Sequence, residues 1–283
     1  FSHRSHKAQM MRGFRKPRLI AFDLDGTLLD GLQSLPRAHF DTVQWLKRQH
    51  IQVVVVTGRS VLTASKFYTQ LQLETPLVCF NGASVGFPGH IPISEVALEV
   101  PEVLRILNTL KPFGGTAAVF PGSTQWMVDQ FTDRTKNWEQ AYGVPILESP
   151  DLHKNWSGST CKVLFDCDPS IIPEAQQALQ QELGGRLSVM RSVPDKLEIM
   201  KHGIDKALGL SKVADYLGID RADVWAVGDE QNDLQMLEWA EVGLVMGQAA
   251  PSVKAKADYI LPSIQDHGCC AIQRMLEELA AST

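Results

Sequence analysis

The sequence predicts an α/β protein: a doubly wound parallel-sheet core with an inserted α+β cap domain. Three observations lead there. Short apolar runs near both ends of the chain stop at acids or at Thr-Gly, as buried parallel strands do at their carboxyl ends. Helical stretches separate these runs at the spacing of βαβ units, about 30 residues. The middle of the chain changes character, with short strand-like runs set between helices.

The first run, Arg18 to Phe22, is followed by a turn at Gly26 and a helical stretch over about 36–50. Phe40, Val43 and Leu46 share one face of that helix, and Pro36 stands near its first turn, where proline is tolerated. Ile51 to Val56 (IQVVVV) reads as the second strand, stopped by Thr57-Gly58-Arg59. A right-handed crossover puts both strand ends at one edge of the sheet, so Asp23 and Thr57 are expected to face one crevice. The pattern continues with Pro76 to Phe80 before Asn81-Gly82. It resumes downstream with Asp223 to Asp229, a helix over 233–239, strands at 242–246 and 259–261, and a closing helix over about 270–280.

Between these halves lie TAAVF, TQWMVD, CKVLFD and RLSVM, with a helix over 172–183 opened by Pro173 and closed by Gly184-Gly185. The expected layout is a Rossmann-like core in two pieces, 17–85 and 197–283, with the cap over 86–196. Residues 1–16 are basic, with Arg4, Lys7, Arg12, Arg15 and Lys16 and no acid. They lack the apolar stretch of a secretory signal, although an organelle transit peptide tolerates such a composition. They are set aside as a tag or disordered tail around a start at Met10 or Met11.

With 283 residues, 44% hydrophobic and 21% charged, the chain can bury a core of one large or two modest domains. A net charge of −5 argues against nucleic-acid phosphates or anionic lipid as partners. No apolar run approaches the ~18 residues of a membrane span. Five cysteines, odd in number and without a CxxC pair, argue against a disulfide framework or a zinc knuckle. Reduced thiols and a cytoplasmic location are expected.

Asp23 and Asp25 end the first strand, and a second acid cluster, Asp229-Glu230-Gln231-Asn232-Asp233, ends a later one. If those strands are neighbours, Asp23, Asp25, Asp229 and Asp233 converge. Carboxylates gathered in one place repel unless a hard cation joins them, and oxygen ligands suit Mg²⁺. Thr57 adds a hydroxyl, Lys206 a positive charge, and Gly26 a turn that lets backbone approach a ligand. A divalent cation, a lysine, a hydroxyl and a glycine turn are what a transferring phosphoryl group needs.

DLDGT (Asp23 to Thr27), TGR (Thr57 to Arg59), Lys206 and GDEQND (Gly228 to Asp233), in this order, resemble the four motifs of the haloacid dehalogenase (HAD) superfamily of phosphatases. The Asn-Gly after the third strand, IDKALGL around Lys206 and the position of the insert resemble its Cof-like branch. The likeness runs from Arg18 to the C-terminus. It implies that Asp23 is the nucleophile, forming an aspartyl-phosphate, and that Asp25 is the general acid and base. It implies Mg²⁺ held by the Asp23 carboxylate, the Asp25 backbone carbonyl and Asp229, with Asp233 gripping a metal-bound water. Thr57 and Lys206 would bind phosphoryl oxygens, Asn232 would orient the cluster, and Gly58 would let its loop approach. One departure is Glu230, where the family often has a small residue or asparagine; it is expected to point away from the metal.

Arg59, Asn81 and Lys196 are possible substrate contacts, each with a structural alternative: an ion pair, a turn, a solvated lysine. His202 reads as a surface residue, and Trp126, Trp138 and Trp156 as packing, with one of them a possible wall for a sugar or ring. The leading reading is a Mg²⁺-dependent phosphatase of small phosphorylated metabolites, a monomer or homodimer. Phosphohexomutase-type transfer and a non-catalytic phospho-ligand-binding regulator are the alternatives.

Overall fold

A computed structural model of the chain describes residues 14–31, 33–122 and 125–281. These form two compact units. One comprises the described residues up to Gly58, Lys66–Phe87 and those from Asp205 onward; the other comprises Arg59–Ser65 and Pro88–Ile204.

The first unit begins with β1 (Leu19–Phe22), α1 (Arg37–Arg48) and β2 (Gln52–Val55). Then come α2 (Val61–Gln70), which straddles the division, β3 (Leu77–Cys79) and β4 (Ser84–Gly86). All four residues of β1 are buried, as the unbroken apolar run requires of a strand covered on both faces. The buried face of α1 is His39, Thr42, Val43 and Leu46. Phe40, expected on that face, is only half-buried, with the Arg37 guanidinium 5.1 Å from its ring centre. The buried face keeps Val43 and Leu46 but takes His39 and Thr42, which read as polar, in place of Phe40.

The predicted tail of 1–16 ends sooner than expected. Residues 1–13 lie outside the described residues. Phe14 stands edge-on to Trp225 at 6.2 Å, and Lys16 Nζ donates to the Gln49 carbonyl at 3.3 Å. A ring that covers a buried tryptophan gains apolar contact it would lack in solvent.

The second unit holds α3 (Val100–Leu110), β5 (Thr116–Val119), β6 (Trp126–Val128), α4 (Asp133–Tyr142), β7 (Ile146–Glu148), β8 (Val163–Asp166), α5 (Ile172–Leu183), β9 (Leu187–Val193) and β10 (Lys196–Lys201). Its sheet runs β9-β10-β8-β5-β6-β7, antiparallel except for the β6–β7 pair. Val103, Ile106 and Leu110 of α3 and Ala175, Leu179 and Leu183 of α5 share one core with Val119, Val163 and Leu197 from the strands. Residues 197–204, expected in the core domain, stay in this unit. Leu187 pairs with Lys201 across the β9–β10 hairpin, and a ladder once begun keeps both strands in one sheet.

The chain then returns to the first unit with α6 (Lys206–Leu217), β11 (Val224–Gly228), α7 (Leu234–Trp239), β12 (Val242–Val245), β13 (Tyr259–Ile260) and α8 (Ala271–Ala281). The sheet order is β13-β12-β11-β1-β2, every pair parallel. Val56 bridges Val78 in parallel, which brings β3 beside β2. The sequence-distant β1 and β11 are therefore neighbours, and their carboxyl ends lie side by side. No helix among the described residues is long and apolar enough to cross a membrane.

Candidate active site

Three strand ends supply the site within the first unit. Asp23 follows β1, its N–H donating to the Val227 carbonyl at 3.0 Å; Thr57 follows β2; Asp229 follows β11. The fourth element is the start of α6, where the Asp205 carboxylate accepts the Leu208 N–H at 2.8 Å and caps the helix. That cap places Lys206 at the first helical position, with the chain's least exposed cationic side chain among those described, 1% open to solvent.

Lys206 Nζ lies 2.6 Å from Asp23 Oδ1 and 2.5 Å from Asp233 Oδ1. Asp233 Oδ2 accepts the backbone N–H groups of Asp229 and Glu230, each at 2.9 Å. Asp229 Oδ1 accepts from the Thr27 hydroxyl at 3.0 Å, and its Oδ2 faces Gln248 Nε2 at 3.4 Å. Asp23, Asp229 and Asp233 are all buried. Burial pushes the Asp23 carboxyl well above its usual range; Lys206 opposes that rise, and Asp233 and Asp25 add to it. Burial and the charge of Asp233 push Asp229 up to about 7, against the bonds from Thr27 and Gln248. Burial works against the Lys206 charge, but Asp23 and Asp233 outweigh it and hold the ammonium protonated.

Lys206 thus bonds two of the three buried carboxylates and leaves Asp229 to the neutral donors Thr27 and Gln248, and buried charge of one sign is retained only with compensation. Asp23, Asp229 and Asp233 can each offer an oxygen such that the three lie within 4.8 Å of one another. An oxygen-only donor set with a deficit of positive charge fits a hard divalent cation.

Gly26 is held at φ +78°, and a Cβ there would sit 2.1 Å from Asp229 Oδ2. Only glycine lets the loop after β1 approach this carboxylate. Beside it, the Thr57 N–H donates to the Val78 carbonyl at 2.9 Å, and the Asn81 N–H to the Thr57 carbonyl at 3.0 Å. Asn81 takes a left-handed conformation at φ 52° and accepts from Asn232 Nδ2 at 3.1 Å. A Cβ on Gly58 would come 2.9 Å from Asn81 Oδ1, so a side chain there would push the Asn81 amide aside. Asp25 is half-buried beside Gly26, and Glu230 is exposed.

The structure therefore brings Asp23, Asp25, Gly26, Thr57, Gly58, Asn81, Lys206, Asp229, Asn232 and Asp233 into one unit. Arg59 and Lys196 fall in the other. Arg59 is buried, its guanidinium 5.7 Å from the Tyr142 ring centre. Lys196 Nζ pairs with Asp195 at 3.2 Å and with buried Asp166 at 3.3 Å, and stands 6.0 Å from the Trp138 ring centre. Trp126, Trp138 and Trp156 are all buried, and His202 is exposed. Two residues with contacts in the site were not among the expected ones: Thr27 and Gln248. Gln248 could have been found from its place just beyond the β12 run, since loops at the carboxyl ends of parallel strands share one edge.

The family model for haloacid dehalogenase-like hydrolases matches residues 20–272. The chain is 31% identical over 276 residues to the 5-amino-6-(5-phospho-D-ribitylamino)uracil phosphatase YitU of Bacillus subtilis, covering 93% of this chain and 97% of the relative. It is 30% identical to the HMP-PP phosphatase of Cronobacter sakazakii over 264 residues, covering 93% and 94% of the two chains. A crystal structure of a haloacid dehalogenase-like hydrolase from Bacteroides thetaiotaomicron superposes with a TM-score of 0.85 at 27% identity, covering 92% of this chain and all of that one. The chain belongs to the haloacid dehalogenase-like hydrolases and is an enzyme of their phosphatase type.

Proposed function

We propose that the protein is a Mg²⁺-dependent phosphatase that hydrolyses a small phosphorylated metabolite, a sugar phosphate or similar phosphomonoester, through an aspartyl-phosphate on Asp23. The observation that carries this reading is the buried trio of Asp23, Asp229 and Asp233, with Lys206 bonded to the first and last. The names of the curated relatives from Bacillus subtilis and Cronobacter sakazakii, both phosphatases of small phosphorylated compounds, support it.

In this reading the Asp23 carboxylate, the Asp25 backbone carbonyl and Asp229 would hold the cation, with Asp233 fixed beside them by its bonds to Lys206 and the Asp229 N–H. Such a cation would supply positive charge to neutralise the phosphoryl oxygens. Asp23 attacks phosphorus, the bond to the leaving oxygen breaks, and Asp25 gives that oxygen its proton. Thr57 and Lys206 hold the transferred group in line. Water then attacks the acyl phosphate, Asp25 takes its proton, and inorganic phosphate leaves with Asp23 restored.

Phosphate release from a panel of phosphorylated metabolites, with Mg²⁺ and with chelator, tests the reading on wild type and Asp23→Asn in parallel. Release that needs both Mg²⁺ and Asp23 is expected. Release by Asp23→Asn at a near-normal rate would overturn the mechanism.

A further inference from the structure

The loop after β1 carries Asp23, Asp25 and Gly26, and its inner side is closed on itself. The Leu24 carbonyl accepts the N–H groups of Thr27 at 3.3 Å, Leu28 at 3.0 Å and Leu29 at 2.8 Å. Its outer carbonyls are another matter. Three in succession are each met by a side chain from elsewhere in the unit: Gly26 by Gln248 Nε2 at 2.6 Å, Thr27 by the Cys269 thiol at 3.3 Å, and Leu28 by His39 Nδ1 at 2.9 Å.

Of the three, Gln248 also reaches a carboxylate. Its Nε2 faces Asp229 Oδ2 at 3.4 Å, while its Oε1 accepts the Ile264 N–H at 2.9 Å. A backbone N–H can only donate and a carbonyl can only accept, so these two partners fix which end of the amide points inward. With the Thr27 hydroxyl on Oδ1, both Asp229 oxygens are held by donors. A carboxylate so held keeps one orientation, and a ligand that is already oriented loses less entropy when it binds a cation.

We propose that Gln248 is a positioning residue for cation binding: its amide ties the Gly26 carbonyl and the Asp229 carboxylate into one arrangement. This rests on the reading of Asp229 as a cation ligand. Outer-shell partners of metal ligands commonly carry 10–100-fold of affinity or activity. Gln248 is exposed, so replacing it removes hydrogen bonds without opening the core.

The test is calorimetric titration of Mn²⁺, and separately Mg²⁺, into substrate-free wild type, Gln248→Met, Gln248→Ala and Asp229→Asn, each checked for an unchanged melting temperature. Affinity about tenfold weaker or worse in both Gln248 variants, with binding lost in Asp229→Asn, is expected. Steady-state rates should then show a higher Mg²⁺ requirement with KM for the phosphoester unchanged at saturating Mg²⁺, because Thr57 and Lys206 are untouched. Affinity within twofold of wild type in the Gln248 variants, with Asp229→Asn still losing binding, would overturn the positioning role and leave the cation site standing. Wild-type affinity in Asp229→Asn would overturn the cation site and the positioning role with it.

Discussion

Lys206 Nζ and Asp23 Oδ1 meet at 2.6 Å although 183 positions separate the two residues, and neither is more than slightly open to solvent. The lysine is the compensating charge for Asp23 and Asp233 together. Lys206→Met should cost stability of about 3–5 kcal/mol, because it leaves buried carboxylates without their partner. It should also abolish turnover. Urea unfolding of the two proteins in chelator checks the first expectation and phosphate release with Mg²⁺ the second. A loss below ~1 kcal/mol would mean that the acids take up protons at little cost.

Asp25 is half-buried beside Gly26 and does not join the buried trio. Asp25→Ala should lower the rate by about 10²–10⁴ while leaving Mg²⁺ affinity nearly intact, as befits an acid and base whose tie to the cation is a backbone carbonyl. Single-turnover phosphate release and metal titration on the same preparation separate the two effects. Equal losses in both would make Asp25 a side-chain ligand instead.

Gly26→Ala asks a β-carbon to occupy a position 2.1 Å from Asp229 Oδ2 at a backbone φ of +78°. The left-handed conformation alone costs about 1–2 kcal/mol for an L residue. The variant should melt earlier and lose most activity, since Asp229 has to move. Thermal unfolding and a rate measurement at saturating Mg²⁺ check this, and wild-type values for both would show that the loop can yield.

His39 offers a pH test away from the acids. It is buried, and its Nδ1–H donates to the Leu28 carbonyl; Nε2 has no partner among the described residues. Burial holds its pKa below the usual 6.5, the Leu28 bond opposes that, His267 edge-on at 5.8 Å lowers it further, and Asp30 raises it. The unfolded chain therefore takes up this proton at a higher pH than the folded one. Its contribution to stability is present above about 6.5 and is lost as pH falls below that value. His39→Asn keeps a donor for Leu28 and removes the titration. Its unfolding free energy should fall less between pH 7.5 and 5.5 than that of wild type, and parallel pH profiles would assign the change to another group.

Much of this was legible in the residues themselves. Apolar runs bounded by Gly, Asp and Thr marked β1, β2, β11 and β12, because a strand buried on both faces has no polar positions to spare. As candidates for the site, Asp23, Asp25, Thr57, Lys206, Asp229 and Asp233 stood out equally, since four short motifs in one order leave few alternative readings. The face of α1 was less plain, as His39 and Thr42 look polar and are buried.

What the sequence determined by itself was therefore the order of the strands along the chain and the chemistry at their ends. Which strands touch was a tertiary matter: β1 lies between β2 and β11, and that adjacency alone brings Asp23 to Asp229. So was the fate of single polar side chains. Lys196 went to Asp166 and Asp195, and Gln248 went to Gly26 and Asp229. Apolar periodicity is written locally and repeats over many residues. A hydrogen bond between residues 222 positions apart, such as that from Gln248 to Gly26, depends on a few tenths of an ångström set by the packing of the whole unit.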